Sequence, residues 1–343
     1  MRILTVNAGS TSLKLALVVD GRRSAAPPSL TEALHGEPPD VIAHRVVHGG
    51  GRRDAAVVDD AVLRELTDLV GLAPLHQPPA LDALKTCRED LPSVPNVACF
   101  DTAFHSTIPE AVRTYAIPRE FRATVRQYGF HGLSYAWASS RVTALAPEAS
   151  RVLIAHLGGG QSLCGTIDGR SVVTTMGFTP LDGLVMGTRC GSIDPGAVTW
   201  LARRVGTIDR LEELLERQSG LVALCGEADM RTIHARIRDG DAGAQFAFDV
   251  WRHSVAAHAG SCVTALRGLD ALVFTGGIGE HDPIARAALA EALEWLGVAL
   301  DRDGNERGDE EISATGSRVR TFVIEAREDL QLAAEAEGCL TAS

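Results

Sequence analysis

Two segments of this chain repeat one another. RILTVNAGSTSLKLALVVDGR, at residues 2–22, and RVLIAHLGGGQSLCGTIDGR, at residues 151–170, each run from a short apolar stretch through a turn of small residues into a second apolar stretch ending in Asp-Gly-Arg. Apolar runs of this length between turn residues read as strands, and Asp-Gly is a tight-turn signal. With the first strands aligned, Asn7 falls on His156 and Gly9 on Gly158; after small gaps Asp20 falls on Asp168. The second copy starts near the middle of a 343-residue chain, where a second domain of ordinary size begins. The chain is therefore expected to be a tandem of two related halves.

The rest of the pattern alternates. Residues 59–70, 80–90, 131–145, 241–269 and 284–296 have helical spacing, while 94–100 and 271–275 read as buried strands. Strands alternating with helices imply an α/β protein with mixed sheets. Residues 23–40, rich in Pro and small residues, are expected to be irregular.

Composition removes several classes. Charged residues are 22% and hydrophobic ones 45%, which excludes disordered, collagen-like and coiled-coil chains. Asp and Glu outnumber Lys and Arg by 44 to 33, a net charge of −11, the wrong sign for nucleic acid or an anionic membrane. Seven cysteines, none in a CxxC pair, argue against a disulfide framework or a zinc site. The apolar run near Met1 is too short for a signal-peptide core, and no run approaches 18 residues, so the expected location is cytoplasmic. Lys14 and Lys85 are the two lysines; because arginine dominates, a single Arg is weak evidence, whereas Lys14 beside a turn of small polar residues stands out.

Four groups of residues carry candidate chemistry. In Asn7-Ala8-Gly9-Ser10-Thr11-Ser12-Leu13-Lys14, backbone N–H groups, hydroxyls and an ammonium can converge on phosphate, although an ordinary hairpin turn has the same pattern. His156-Leu157-Gly158-Gly159-Gly160 is its counterpart, with glycines that permit close approach of a ligand or simply a tight hairpin. Gly276-Gly277-Ile278-Gly279-Glu280 lies between a strand and a helix, as a nucleotide contact or a structural connection. The fourth group combines HRVVHGG from His44, FDTAFH from Phe100, YGFHG from Tyr128 and MGTRCG from Met186, each with an ionisable residue beside a turn.

In order and spacing, NAGSTSLK, HRVVHGG, APLHQPP, FDTAFH, YGFHGLSY, HLGGG, GFTPLDGLVMGTR, DMR and FTGGIGE, followed more weakly by REDLQLA to about residue 332, resemble the acetate kinase family. The resemblance implies two duplicated ribonuclease H-like, actin-like ATPase domains with mixed sheets flanked by helices and an active-site cleft between them. The first would span residues 1–102 plus 330–343, the second 103–329. It implies Mg2+- or Mn2+-dependent transfer of phosphate from ATP to a small carboxylate, most readily acetate, with ADP as product and a homodimer as the assembly.

Residue by residue, the resemblance makes Arg45, Asp101, His131 and Arg189 catalytic, with His76 and His156 nearby. Asn7 and Glu328 become metal ligands, and Ser10, Ser12 and Lys14 face phosphate. His156 to Gly160 (with Leu157, Gly158 and Gly159), Asp229, Met230 and Arg231, and Gly276, Gly277, Ile278, Gly279 and Glu280 contact nucleotide. Val47, Leu75, Phe130 and Pro180 enclose the acyl methyl group. The chain departs from the family at Gly159 and Gln77, where Asn is usual, at Ser192, where Asp is usual, and in a shortened region between Asp20 and His44. The alternatives are a kinase for propionate, butyrate or another acid, one using another donor, and a weakly catalytic nucleotide-binding relative.

Overall fold

The computed structural model describes residues 1–9, 13–24, 26–73 and 76–341. Ser10, Ser12 and Leu75 lie outside them. Two compact units make up the chain: Met1–Thr107, Tyr128–Trp137 and Ala326–Ser343 form the first, Ile108–Gln127 and Ala138–Glu325 the second. This division groups Tyr128–Trp137 with the first unit, whereas the expected boundaries assigned it to the second.

In the first unit β1 (Arg2–Ala8), β2 (Leu13–Val19), β3 (Arg22–Arg23), β4 (Val41–Val46), β5 (Ala56–Val57) and β6 (Asn96–Phe100) form one sheet in the order β3-β2-β1-β4-β6-β5. In the second, β7 (Arg151–Leu157), β8 (Gln161–Ile167), β9 (Arg170–Thr174), β10 (Ala271–Thr275) and β11 (Arg320–Val323) are ordered β11-β10-β7-β8-β9. The β3-β2-β1-β4-β6 and β9-β8-β7-β10-β11 sequences are the same arrangement twice, antiparallel through the two hairpins and parallel beyond them. The copied Asp-Gly turns also agree: Asp20 and Gly21 have φ of 48° and 73°, Asp168 and Gly169 of 50° and 76°, the left-handed pair of a type I′ hairpin.

The central parallel strands are buried on both faces, which explains their continuous apolar runs. Ile3, Val41, Ala43, Val97 and Cys99 pack on Leu332, Ala333 and Ala336 of the helix Glu328–Thr341. The alternate residues Leu4, Val6 and Ile42 pack with Leu34 and Cys87 on the other face. In the second unit the 25-residue helix Ala242–Leu266 supplies Phe248, Trp251, Val255, Ala259 and Leu266 to a core with Leu153, Ala155 and Leu163. Trp251 is fully buried and donates Nε1–H to Gln161 Oε1 at 2.8 Å.

The stretch expected to be irregular contains a helix, Leu30–His35, whose N-terminus is capped by Ser29 accepting from the Glu32 N–H. Ser-x-x-Glu is a capping signal that the Pro-rich surroundings obscured. No helix among the described residues is long and apolar enough to cross a membrane.

Candidate active site

The C-terminal ends of β1, β4 and β6 carry Asn7, Arg45 and, one residue past the strand, Asp101. In open α/β sheets this is the end where ligands bind. Parallel pairing puts the three ends side by side. Arg45 donates Nε–H to Asp101 Oδ1 and Oδ2 at 3.2 and 3.1 Å, an Nη2 hydrogen to Oδ2 at 2.6 Å and an Nη1 hydrogen to Asn7 Oδ1 at 3.1 Å. Asn7 Nδ2 in turn donates to Glu328 Oε2 at 2.7 Å, which lies 3.9 Å from Arg45 Nη1.

Asp101 is 1% exposed in this fork. Burial pushes its carboxyl up and Arg45 pulls it back, while Arg45, working against its own desolvation, is held above its usual value by Asp101 and Glu328. Two-point contact of this kind fixes the guanidinium plane as well as its position.

Asp101 also organises His131. The Asp101 carbonyl accepts the Gly132 N–H at 3.0 Å, and its carboxylate takes the Leu133 N–H at the start of the helix Gly132–Leu145. His131 itself has a φ of 60°, a left-handed conformation uncommon outside glycine. His105 Nε2 lies 2.9 Å from the Phe130 carbonyl and fixes the preceding residue.

Around these groups Val47 and Phe130 are 3% and 1% exposed. Lys14 pairs with Asn7 across β1 and β2, its side chain exposed. His76 precedes the helix Gln77–Asp90. Gln77, one of the departures, is buried; its Oε1 accepts the His48 N–H at 3.1 Å and its Nε2 donates to the His48 carbonyl at 3.0 Å. It holds the loop that carries Val47.

The second unit gathers the glycine segments. His156, next to last in β7, pairs with Thr275 at the end of β10. Gly276, at φ 79°, sits so close to β7 that a Cβ would lie 2.8 Å from the Leu157 carbonyl oxygen, and a Cβ on Gly158 would be 3.7 Å from the Gly277 nitrogen. The two turns are thus brought together. Leu157 and Met230, however, are 0% and 3% exposed and pack in the core. Their side chains belong to the scaffold. Asp229 caps the helix Met230–Arg238 and pairs with the exposed Arg231; the hydrogen bonds from Arg231 hold its carboxyl down at about 2. A Cβ on Gly159 would meet nothing within 4 Å.

Arg189 donates to the Pro180 carbonyl at 3.3 Å and is half-buried, with desolvation lowering its pKa. Its loop is pinned by Gly220 (φ 67°), where a Cβ would approach the Met186 carbonyl to 2.2 Å. Ser192, the other departure, donates to Asp182 Oδ1 at 2.7 Å and accepts the Gly183 N–H at 3.2 Å, closing a turn.

A match to the model of the acetokinase family covers residues 28–334. The chain belongs to that family. It is 44% identical over 316 residues to an acetate kinase of Clavibacter michiganensis subsp. michiganensis, covering 89% of this chain and 79% of the relative. The crystal structure of acetate kinase from Entamoeba histolytica superposes with a TM-score of 0.92 at 30% identity, covering 99% and 100% of the two chains. A propionate kinase from Francisella tularensis gives 0.89 at 33% identity, covering 97% and 98%.

Family membership brings ATP or ADP into consideration as co-substrate and raises the question of a metal. Among the described residues no three His, Cys, Asp or Glu side chains form a metal-holding group, so an all-protein cage is not on offer. Asn7 Oδ1 and the Glu328 carboxylate are hard oxygen donors at one point. That set fits Mg2+, which usually takes one or two carboxylates and completes its shell with water and substrate phosphates.

Sequence reasoning missed Arg286, His234 and Asp282, all buried polar residues of the second unit. Asp-Pro at 282–283 announces a helix start, but nothing local indicates that the arginine one turn later points inward.

Proposed function

We infer that the chain transfers the γ-phosphoryl group of ATP to acetate, forming acetyl phosphate reversibly. The observation that carries this reading is the Arg45 guanidinium, forked on Asp101 and edged by Asn7 at the C-terminal ends of parallel strands, in a chain of the acetokinase family.

Phosphoryl transfer passes through a loose transition state with charge on the equatorial oxygens, so positioning and electrostatic stabilisation do most of the work. Arg45 and Arg189 supply guanidinium donors for the acid's carboxylate and the transferring group, and His131 supplies a further donor. A carboxylate nucleophile is already ionised at neutral pH; no general base is needed. Both Asp101 oxygens accept from Arg45, which supports an orienting role for that carboxylate. Asn7 and Glu328 would hold Mg2+ (or Mn2+), which when bound neutralises charge on the phosphate oxygens.

On the donor side we assign ATP to the His156–Gly160 and Gly276–Glu280 turns and to Asp229 and Arg231, and on the acceptor side the acyl group to Val47, Phe130 and Pro180. One methylene in an apolar pocket is worth about 1–3 kcal/mol, so propionate should react as well, in keeping with the likeness to a propionate kinase. A hydroxamate assay over acetate, propionate and butyrate, with ATP, GTP and pyrophosphate as donors, tests the reading. Acyl hydroxamate from acetate and ATP is expected, with butyrate poorer by about an order of magnitude. No product from any acid with ATP overturns it.

A further inference from the structure

We propose that Arg286, backed by the His234–Asp282 pair, is the positioning residue that sets the nucleotide-side helix Gly276–His281 and ties it to the helix that starts after Asp229. The inference rests on reading these two segments as the ATP side of the site. A six-residue helix is too short to hold itself in water, because nucleation costs more than so few bonds return. Its position must come from what grips it.

Both ends are gripped by side chains. At the start, Glu280 Oε1 accepts the Gly276 N–H at 2.8 Å. At the finish, Arg286 Nη1 donates to the Gly279 and Glu280 carbonyls at 2.9 and 2.8 Å. The other edge of the same guanidinium donates Nε–H to Asn305 Oδ1 at 2.7 Å and Nη2–H to the Asn305 carbonyl at 2.6 Å. Arg286 is 1% exposed, and a charge so far from water is tolerated only with its donors filled. An apolar side chain would serve the core at least as well; four directed bonds and a positive charge on terminal helix carbonyls are what only this residue provides.

The grip extends to the second segment. Asp282 Oδ1 caps the helix Pro283–Ala292 through the Ala285 N–H at 2.9 Å, and Asp282 Oδ2 lies 2.8 Å from His234 Nε2. His234 is on the helix Met230–Arg238, whose cap is Asp229. Asp229, His234, Asp282, Arg286 and Gly279 therefore belong to one bonded frame.

The test uses the full chain in Arg286→Lys, Arg286→Met, His234→Ala and His234→Gln forms, with KM for ATP, KM for acetate, kcat and thermal unfolding measured for each. Lysine keeps the charge but cannot span the carbonyls and Asn305 together. Arg286→Lys should raise KM for ATP about tenfold or more with KM for acetate within about twofold, as loss of charge-assisted hydrogen bonds on one side of the site dictates. His234→Ala should shift the same parameter, and His234→Gln, whose amide reaches the Nε2 position, should restore it. If Arg286→Met does not fold, the lysine variant decides. Equal changes in both KM values, or a loss of thermal stability with neither KM altered, would make Arg286 merely structural and overturn the proposal while leaving the kinase reading intact. A wild-type chain that makes no hydroxamate with ATP overturns both.

Discussion

Gly132 donates its N–H to the Asp101 carbonyl at 3.0 Å, and a Cβ on it would stand 2.1 Å from that same oxygen. Backbone meets backbone there, so no rotamer can relieve an added methyl. Gly132→Ala should displace either His131 or Asp101, destabilise the chain by about 1–3 kcal/mol and lower kcat by about an order of magnitude or more. Urea unfolding and turnover measured together check this; unchanged kcat would separate His131 and Asp101 from the chemistry.

Arg45→Ala leaves Asp101 buried without its partner, a change that costs about 3–5 kcal/mol for a paired internal charge. Arg45→Lys keeps a charge but loses the fork. Both should lower kcat by at least about 100-fold, the lysine variant with the smaller stability loss. Arg189→Ala should show the same kinetic loss with little change in nucleotide binding, and near-normal turnover in that variant would remove it from the mechanism.

Glu328→Gln keeps an acceptor for Asn7 and removes one charge from the proposed metal site. The magnesium concentration for half-maximal rate should rise about tenfold or more. A superimposable magnesium titration would reject Glu328 as a ligand.

Gly159 has room for a side chain, since a Cβ meets nothing within 4 Å. Gly159→Asn restores the amide usual in the family and should lower KM for ATP by about two- to tenfold, the worth of one hydrogen bond, with kcat unaltered. No change in KM would mean that the glycine turn already satisfies the nucleotide.

Stability should depend on pH through Glu335, which burial pushes up to about 7, with Asp101 and Asp54 adding to the rise and Gln331 and Cys99 opposing it. From an unfolded value near 4.5, the folded chain binds this proton more tightly. The stabilisation is complete below pH 4.5 and is lost as pH rises through 7, about 3 kcal/mol in all. Glu335→Gln should therefore be the more stable form at pH 8 and equal to wild type in acid. His44 and His105, pushed down to about 4 by burial, act in the opposite sense, losing their contribution as pH falls from 6.5. Parallel pH profiles for wild type and Glu335→Gln would contradict the assignment.

The duplicated hairpins were legible because strand, turn and Asp-Gly signal are all local. So were the long helices and the turns bearing Arg45, Asp101 and the glycines. What escaped was decided by distant partners. Met230 sits in a segment expected to contact nucleotide yet fills the core, while Arg286 carries no local sequence signal yet is enclosed by Asn305 and two carbonyls. Two-residue strands such as β3 and β5 have no period to detect. Gln77 looked like a defect in a motif; its amide pairs both ways with the His48 backbone.

The helix Glu328–Thr341, which covers Ile3, Val41, Ala43, Val97 and Cys99, follows the whole second unit in the chain. On the ribosome, the first sheet is made early but keeps one apolar face bare until every strand of the second has been translated. Glu328 arrives with the helix that covers it. A nascent chain halted anywhere in the second unit exposes a sticky surface of the sort chaperones attend to and lacks Glu328 beside Asn7, so premature termination leaves the sheet uncovered and the proposed metal site incomplete.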